Sequence, residues 1–423
     1  MNQFKPHNII LIRFYESIID SIDHEKIKSL IDLDHADTLL RDILSVEEMR
    51  TIGSFFTGQA LTTKAVDQFK TPITEKSVVL DPTCGTGNLL IESSRRLPIY
   101  PSLLETLRSW GKVLRGYDIH EVFVEATKLR LMLEALSRGT IKDCSINDAF
   151  QCFPNIKTAD AMCIESHELA NVTHALMNPP FSSWDSPEEN YWNPGKTNAA
   201  GIVFDFYLRN LPNSCEVSAI LPDVLRSGSR YEKWRNFVSQ KLGGSIIIIG
   251  RFNSKTNIDV FLIQGFVEKE NNKSISWFPE KTGTSHLSDY FEVCIGPLVS
   301  YRDPQDGPLA PYVHSNNTPP WETISSFKEY RRFKGRLILP PFVVVRRTSS
   351  PTNKFRASGA IIDGTSPVAV ENHLVVIKPK SREISDCQRL LEQLKSQDTN
   401  DFINRRIRCR HLTVGVIKDI SIW

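Results

Sequence analysis

Two clusters of residues in this chain have the types and spacing for chemistry. The first is Asp81-Pro82-Thr83-Cys84-Gly85-Thr86-Gly87-Asn88-Leu89, which follows the apolar run Val78-Val79-Leu80 and leads into a stretch of helical character. The two glycines let the backbone approach a ligand closely, and loop amides at a helix start offer N–H donors. A nucleotide-like cofactor suits such a loop, and so does a plain strand-to-helix turn. The second cluster is Asn178-Pro179-Pro180-Phe181, after the apparent strand Thr173-His174-Ala175-Leu176-Met177. Adjacent prolines fix the backbone and remove two donors, so that carbonyls there can point at a substrate; the ordinary alternative is a turn closing a strand. Asn178 lies 97 residues after Asp81, which leaves room for two or three βα units. Between them, Lys112-Val113-Leu114-Arg115-Gly116-Tyr117-Asp118-Ile119 reads as a strand ending in an acid. An acid at that place in an open α/β sheet can hold both hydroxyls of a ribose, or it can be a plain strand-end aspartate.

The two clusters in this order resemble the S-adenosylmethionine-dependent DNA adenine methyltransferases of restriction-modification systems, whose loop reads Asp-Pro-x-Cys-Gly-Ser/Thr-Gly and whose catalytic tetrad reads Asn/Asp-Pro-Pro-Phe/Tyr. The resemblance spans roughly residues 53 to 266 and implies S-adenosylmethionine as cofactor. It places Asp81, Thr83, Cys84, Gly85, Gly87, Asn88 and Leu89 at the cofactor loop, with Asp118 and Ile119 at the ribose. Asp148, Ala149 and Phe150, within Ser145-Ile146-Asn147-Asp148-Ala149-Phe150, would take the cofactor's adenine. Upstream, Phe56-Thr57-Gly58 resembles the segment that wraps over the methionine end; the group more often has Thr-Pro where this chain has Thr57-Gly58. Asn178, Pro179, Pro180 and Phe181 would be catalytic, acting on the exocyclic amino group of a base flipped out of the duplex, with Phe181 stacking on it and Phe252 as a second aromatic. Transfer to cytosine carbon-5 needs a thiolate, usually presented as Pro-Cys, and the chain has no Pro-Cys dipeptide. Three other readings use similar parts: a cytosine amino-group methyltransferase, an RNA or protein glutamine methyltransferase with Asn-Pro-Pro, and a non-catalytic specificity subunit that has kept the fold.

The elements that must position these residues alternate strand and helix. The expected fold is therefore an α/β Rossmann-like sheet of the class I methyltransferase type with helices on both faces, plus a smaller α+β target-recognition domain. Residues 1–48 read as an N-terminal helical cap, 49–269 as the methyltransferase domain and 270–423 as the recognition domain. The catalytic part closes with an apparent hairpin of Ser245–Ile249 and Asp259–Phe266. The loop from Ser182 to Lys196, rich in turn formers yet carrying Trp184, Tyr191 and Trp192, suits a lid, a nucleic-acid contact or an ordinary insertion.

At 423 residues, 40% apolar and 24% charged, the chain has the composition of a globular protein of about two domains. No run reaches the ~18 apolar residues of a membrane span, and Ile9-Ile10-Leu11-Ile12 is too short and too soon followed by charge for a secretory signal. A cytoplasmic site is expected, with no membrane partner. The eight cysteines form no Cys-x-x-Cys pair, so reduced thiols and no metal site are expected. Net charge is +2, but residues 321–423 carry 19 Lys/Arg against 10 Asp/Glu, leaving the remainder at −7. The basic end suits double-stranded DNA or a merely solvated surface, and Arg346, Arg347 and Arg356 are the candidate DNA contacts. A cognate restriction endonuclease or specificity subunit is the further partner the resemblance implies.

Overall fold

The computed structural model describes residues 4–19, 23–34, 38, 57–188, 191–252, 258–268, 275–278 and 285–422. The chain divides into two units, Met1–Arg226 with Arg230–Ser276, and Ser227–Ser229 with Trp277–Trp423.

The first unit is organised on a seven-stranded sheet. Strands β1 (Val79–Asp81), β2 (Leu114–Asp118), β3 (Ile156–Thr158), β4 (His174–Met177) and β7 (Glu216–Pro222) are parallel, and β8 (Leu242–Arg251) and β9 (Asp259–Val267) form a hairpin at one edge. The order is β3-β2-β1-β4-β7-β9-β8, with β9 antiparallel to both neighbours. Every residue of β1, β4 and β7 is buried, as befits strands covered on both faces, which is why they read as apolar runs and not as alternations. The order runs outward from β1 on one side and from β4 on the other, so a crevice opens at their carboxyl ends. A two-stranded ribbon of β5 (Ser183–Asp185) and β6 (Lys196–Asn198) follows β4 and leads into helix Ala199–Asn210.

Helices α1 (Lys5–Ser17), α2 (His24–Ile31), α3 (Gln59–Val66), α4 (Asn88–Ser94), α5 (Leu103–Val113), α6 (Glu121–Ser137) and α7 (Ile146–Gln151) flank this sheet. The start of α5 is set by Ser102, whose hydroxyl accepts the Glu105 N–H, and its buried residues Leu103, Leu107 and Trp110 recur at helical spacing. That helix takes Lys112 and Val113, so the strand expected to begin there begins at Leu114. The first two helices, expected as a separate cap, share the core of the first unit. Phe4 meets Phe123 edge to face at 5.3 Å, Asn8 Nδ2 donates to the Val122 carbonyl at 2.9 Å, and the Tyr15 hydroxyl donates to the Cys144 carbonyl at 2.7 Å. Residues 39–48 of the expected cap lie outside the described residues.

In the second unit a five-stranded sheet has the order β10-β17-β14-β15-β12, from β10 (Phe291–Ile295), β12 (Thr323–Ile324), β14 (Phe342–Arg346), β15 (Gly359–Ile362) and β17 (Leu374–Pro379). A three-stranded sheet holds β11 (Leu309–Val313) between β13 (Tyr330–Arg332) and β16 (Ala369–Val370). Val343, Val345, Val375 and Ile377 face a helical layer through Leu390, Leu391 and Ile403, whereas Phe342, Val344, Ile362 and Val376 pack on Ile338, Val368 and Val370. Both faces are covered, which explains the unbroken Val343-Val344-Val345. Among the described residues no helix is long and apolar enough to cross a membrane.

Candidate active site

Three parallel strands deliver their last residues to one cleft. β1 ends in Asp81, β2 in Asp118, and β4 is followed directly by Asn178. The loop after β1 is held from behind: the Cys84 N–H donates to the Tyr117 carbonyl at 2.8 Å, and the Thr127 hydroxyl to the Gly85 carbonyl at 2.9 Å. Gly87 adopts φ +83°, a left-handed conformation, and a Cβ there would stand 2.6 Å from the Thr127 side chain. Only glycine lets α4 begin that close to α6.

The cleft is lined by Asp81, Thr83, Gly85, Asp118, Asn178 and Trp184 among others, including Thr57, Cys84, Asn88, Leu89, Ile119 and Pro180. Two carboxyl groups dominate its electrostatics. Burial pushes Asp81 up to about 8, against the pull of the Thr83 N–H and with a further push from Asp118. Burial also pushes Asp118 up to about 6, opposed by the His120 and Gly85 N–H groups that donate to it at 2.8 and 3.1 Å. Acids held in so dry a place favour a cationic, hydroxyl-bearing ligand that restores their charge. Cys84 is pushed well above its ordinary value, first by burial and then by Asp81, so its thiol stays protonated and is no nucleophile.

A buried polar chain ties the loop to the tetrad. Arg130 of α6 is fully buried; its Nη1 donates to the Thr86 carbonyl at 2.7 Å and to Asn88 Oδ1 at 2.6 Å, and its Nη2 to the Ile31 and Asp32 carbonyls at 3.3 and 3.1 Å. Asn88 Nδ2 in turn donates to the Leu33 and Thr57 carbonyls at 2.8 and 2.6 Å. Asn88 therefore clasps the upstream segment over the loop while also lining the cleft. Asn178 Nδ2 donates to the Thr57 hydroxyl at 2.8 Å, which fixes the amide so that Oδ1 is directed the other way. The departure from Thr-Pro at Gly58 has a local cause. Asp34 accepts the Gln59 N–H at the start of α3, and a Cβ on residue 58 would stand 2.4 Å from its carboxylate.

Several expected residues fall elsewhere. Asp148, Ala149 and Phe150 do not line the cleft. Ser145 and Asp148 form a capping box at the start of α7, Ala149 is buried in the core, and Phe150 packs under Lys128 at 5.7 Å. Their position before β3 is the reason: the end of β3 carries instead Ala159-Asp160-Ala161-Met162 into the cleft. There the Ala159 N–H donates to the Asp118 carbonyl at 3.0 Å, and Asp160 accepts the Met162 N–H. Asp160 is the acid the sequence reading missed; the resemblance had put Asp148 at the adenine, whereas its Ser145-x-x-Asp148 spacing is that of a helix cap. Phe181 is half-buried and meets Phe252 edge to face at 5.7 Å. Phe252 is itself buried, so it backs Phe181 and presents no face to DNA. Phe56 lies outside the described residues. In the second unit Arg346 and Arg347 are half-buried at the end of β14. Arg356 is only 1% exposed, and its guanidinium donates to Ser349, Asn404 and the Cys409 carbonyl. It is a structural cation and no DNA contact, because those bonds consume its donors inside the unit.

The strand order, the edge hairpin and a ligand cleft at the carboxyl ends of β1, β2 and β4 define a class I methyltransferase domain. Residues 35–204 match the model of the N-6 DNA methylase family. Its members use S-adenosylmethionine. No curated protein sequence matches the chain. Similar solved structures include the type IIL restriction-modification enzyme MmeI in complex with DNA, at 11% identity and a TM-score of 0.54, covering 99% of this chain and 79% of that one. Others are a modification subunit of a putative type I restriction enzyme from Vibrio vulnificus YJ016 (16% identity, TM-score 0.42, 60% and 51% covered) and the type IIG restriction endonuclease BpuSI (14%, 0.44, 93% and 61%). The chain thus spans about half the length of the Vibrio subunit.

Proposed function

We propose that the chain is a site-specific DNA methyltransferase acting on the exocyclic amino group of adenine, within a restriction-modification system. The observation that carries this reading is the placement of Asn178 and Pro180 beside the Asp81 loop in one cleft, with Thr57 fixing the Asn178 amide. S-adenosylmethionine, for which the cleft's two buried acids are suited, supplies an electrophilic methyl group. Asp118 takes the ribose hydroxyls, Asp81 faces the cationic end, and Asp160 stands where the cofactor's adenine would lie.

An aromatic amine is a weak nucleophile because its lone pair is delocalised into the ring. Asn178 Oδ1 and the Pro179 carbonyl accept the two amino hydrogens and favour a pyramidal nitrogen whose lone pair faces the methyl. The rate gain comes from preorganised acceptors and in-line positioning, with no covalent intermediate on the protein. The nitrogen–methyl bond forms as the sulfur–methyl bond breaks, and the surplus amino proton leaves to water. Flipping the base costs a few kcal/mol, and stacking on Phe181 returns about 1–3 kcal/mol. Residues 270–423 act as the target-recognition part, supported by their basic balance. A cognate endonuclease or specificity subunit acts with the chain, the partner that a restriction-modification role implies.

The test is Asn178→Ala in the full chain. Methyl transfer should fall by at least about 100-fold, the loss typical of a single preorganised group, while S-adenosylmethionine affinity measured by calorimetry stays within a few-fold. Near-normal transfer by the folded variant refutes the assignment.

A further inference from the structure

The second unit carries a concentration of positive charge that none of the residues discussed so far explains. Five of the nine residues from Lys328 to Arg336 are Lys or Arg, with Glu329 the sole acid. A charge run is ordinarily a solvated face; three features set this one apart.

The first is the absence of counter-ions. Among the described residues Lys328, Arg332, Lys334 and Arg336 are exposed and have no ion-pair partner, although charged pairs form elsewhere in the same unit. The second is geometry. β13 pairs with β11 so that Leu309 stands opposite Arg332 and Pro311 opposite Tyr330. Side chains alternate along a strand, so Leu309, Tyr330 and Arg332 share one face. Glu329 and Arg331 belong to the other, where Glu329 bonds His314 and Asn317, and Arg331 Nη2 donates to the Ser300 and Asp303 carbonyls at 3.1 and 2.8 Å. The only acid of the run is thereby turned away. The third is exposed apolar surface among the cations. Tyr330 is 57% and Leu309 61% exposed. Close backbone approach at Gly307, where a Cβ would meet the Lys334 Cα at 2.8 Å, holds the chain that leads into β11 against the end of the run. Cations without counter-ions beside an exposed aromatic ring are the footprint of a nucleic-acid surface.

We propose that the β11–β13 face, through Arg332, Lys334 and Arg336 with Tyr330 among them, is the surface by which the second unit holds the phosphate backbone of double-stranded DNA. This inference rests on the reading of the chain as a DNA methyltransferase, and it replaces the buried Arg356 with an exposed set.

Counter-ion release makes it measurable. Each phosphate neutralised adds about 0.9 to the slope of log affinity against log salt, so losing three contacts lowers that slope by about 2.7. Over a fourfold rise in salt the difference amounts to about 40-fold in affinity. The experiment compares the full chain with the triple variant Arg332→Gln, Lys334→Gln, Arg336→Gln, measuring duplex DNA binding by fluorescence anisotropy across salt concentrations and S-adenosylmethionine binding by calorimetry. A second triple, Lys380→Gln, Arg382→Gln, Arg389→Gln, removes the same charge elsewhere on the unit. The expected result is a slope lowered by more than about 1.5 in the first triple only, with cofactor affinity unchanged. A smaller change, or an equal change in the second triple, overturns the inference and leaves the methyltransferase reading standing. If the unaltered chain binds no duplex DNA at any salt, the methyltransferase reading itself fails and takes the inference with it.

Discussion

Asp81 sits in the first unit at a cost to stability, and replacing it with asparagine exposes how large that cost is. In the unfolded chain its carboxyl titrates near 3.8, whereas burial in the fold pushes it up to about 8. Between those values the folded chain binds a proton that the unfolded chain has released. The unfolded state binds fewer protons, so this group's contribution to stability falls as pH rises from about 4 to 8. At pH 7 the penalty reaches about 4 kcal/mol, and at pH 5 about 2 kcal/mol, taking 1.36 kcal/mol per unit. These are upper figures. Asparagine imitates the protonated acid: its Oδ1 keeps the Thr83 N–H and its amide replaces the carboxyl O–H. Asp81→Asn should therefore stabilise the cofactor-free chain, more at pH 8 than at pH 5, while abolishing stabilisation by added S-adenosylmethionine. Because two units need not unfold together, urea unfolding is best followed at Cys84, buried in the loop itself, by alkylation located with mass spectrometry. A variant no more stable than the parent at pH 8, or equally stabilised at both pH values, refutes the argument that a cationic ligand is what justifies this acid.

Three further outcomes follow from the same cleft. Thr57→Val removes the hydroxyl that holds the Asn178 amide and should lower kcat about 10- to 100-fold, the cost of one misplaced hydrogen-bonded group, with KM for DNA and cofactor little changed; Thr57→Ser should restore most of it, and equal loss in both variants would point to packing alone. Asp118→Ala should weaken S-adenosylmethionine binding by roughly ten- to a hundredfold, since a lost charged partner costs about 1.5–3 kcal/mol, and unchanged affinity by calorimetry would move the ribose elsewhere. Asp160→Asn should weaken cofactor binding whereas Asp148→Asn should lower only thermal stability through the α7 cap, and the opposite pattern would return the adenine site to Asp148.

What the sequence disclosed was whatever the backbone constrains. The turn after β1 needs Gly87 at positive φ, and the tetrad needs two prolines, so both announce themselves as words in the chain. The parallel strands were legible as apolar runs because both their faces are covered. β3 was not, since three residues reading Ile156-Lys157-Thr158 carry too little pattern, and with that strand went Asp160. Burial of a cation leaves little local trace either: Arg356 reads like any surface arginine until its guanidinium is seen to bond Ser349, Asn404, Ile407 and Cys409 inside the unit. Arg130 did leave a signal, as the lone charge within Leu129-Arg130-Leu131-Met132-Leu133, because a cation in a wholly apolar stretch must find partners.

The central claim is that the Asn178 tetrad methylates the adenine amino group in DNA, and digestion of the product to nucleosides tests it most directly. The purified full chain is incubated with unmethylated genomic DNA and S-adenosylmethionine carrying a deuterated methyl group, with Asn178→Ala alongside, and the nucleosides are resolved by mass spectrometry. The account predicts deuterated N6-methyladenine with the parent chain and none above background with the variant. Label on cytosine, or label on adenine that survives the Asn178→Ala substitution, would contradict it.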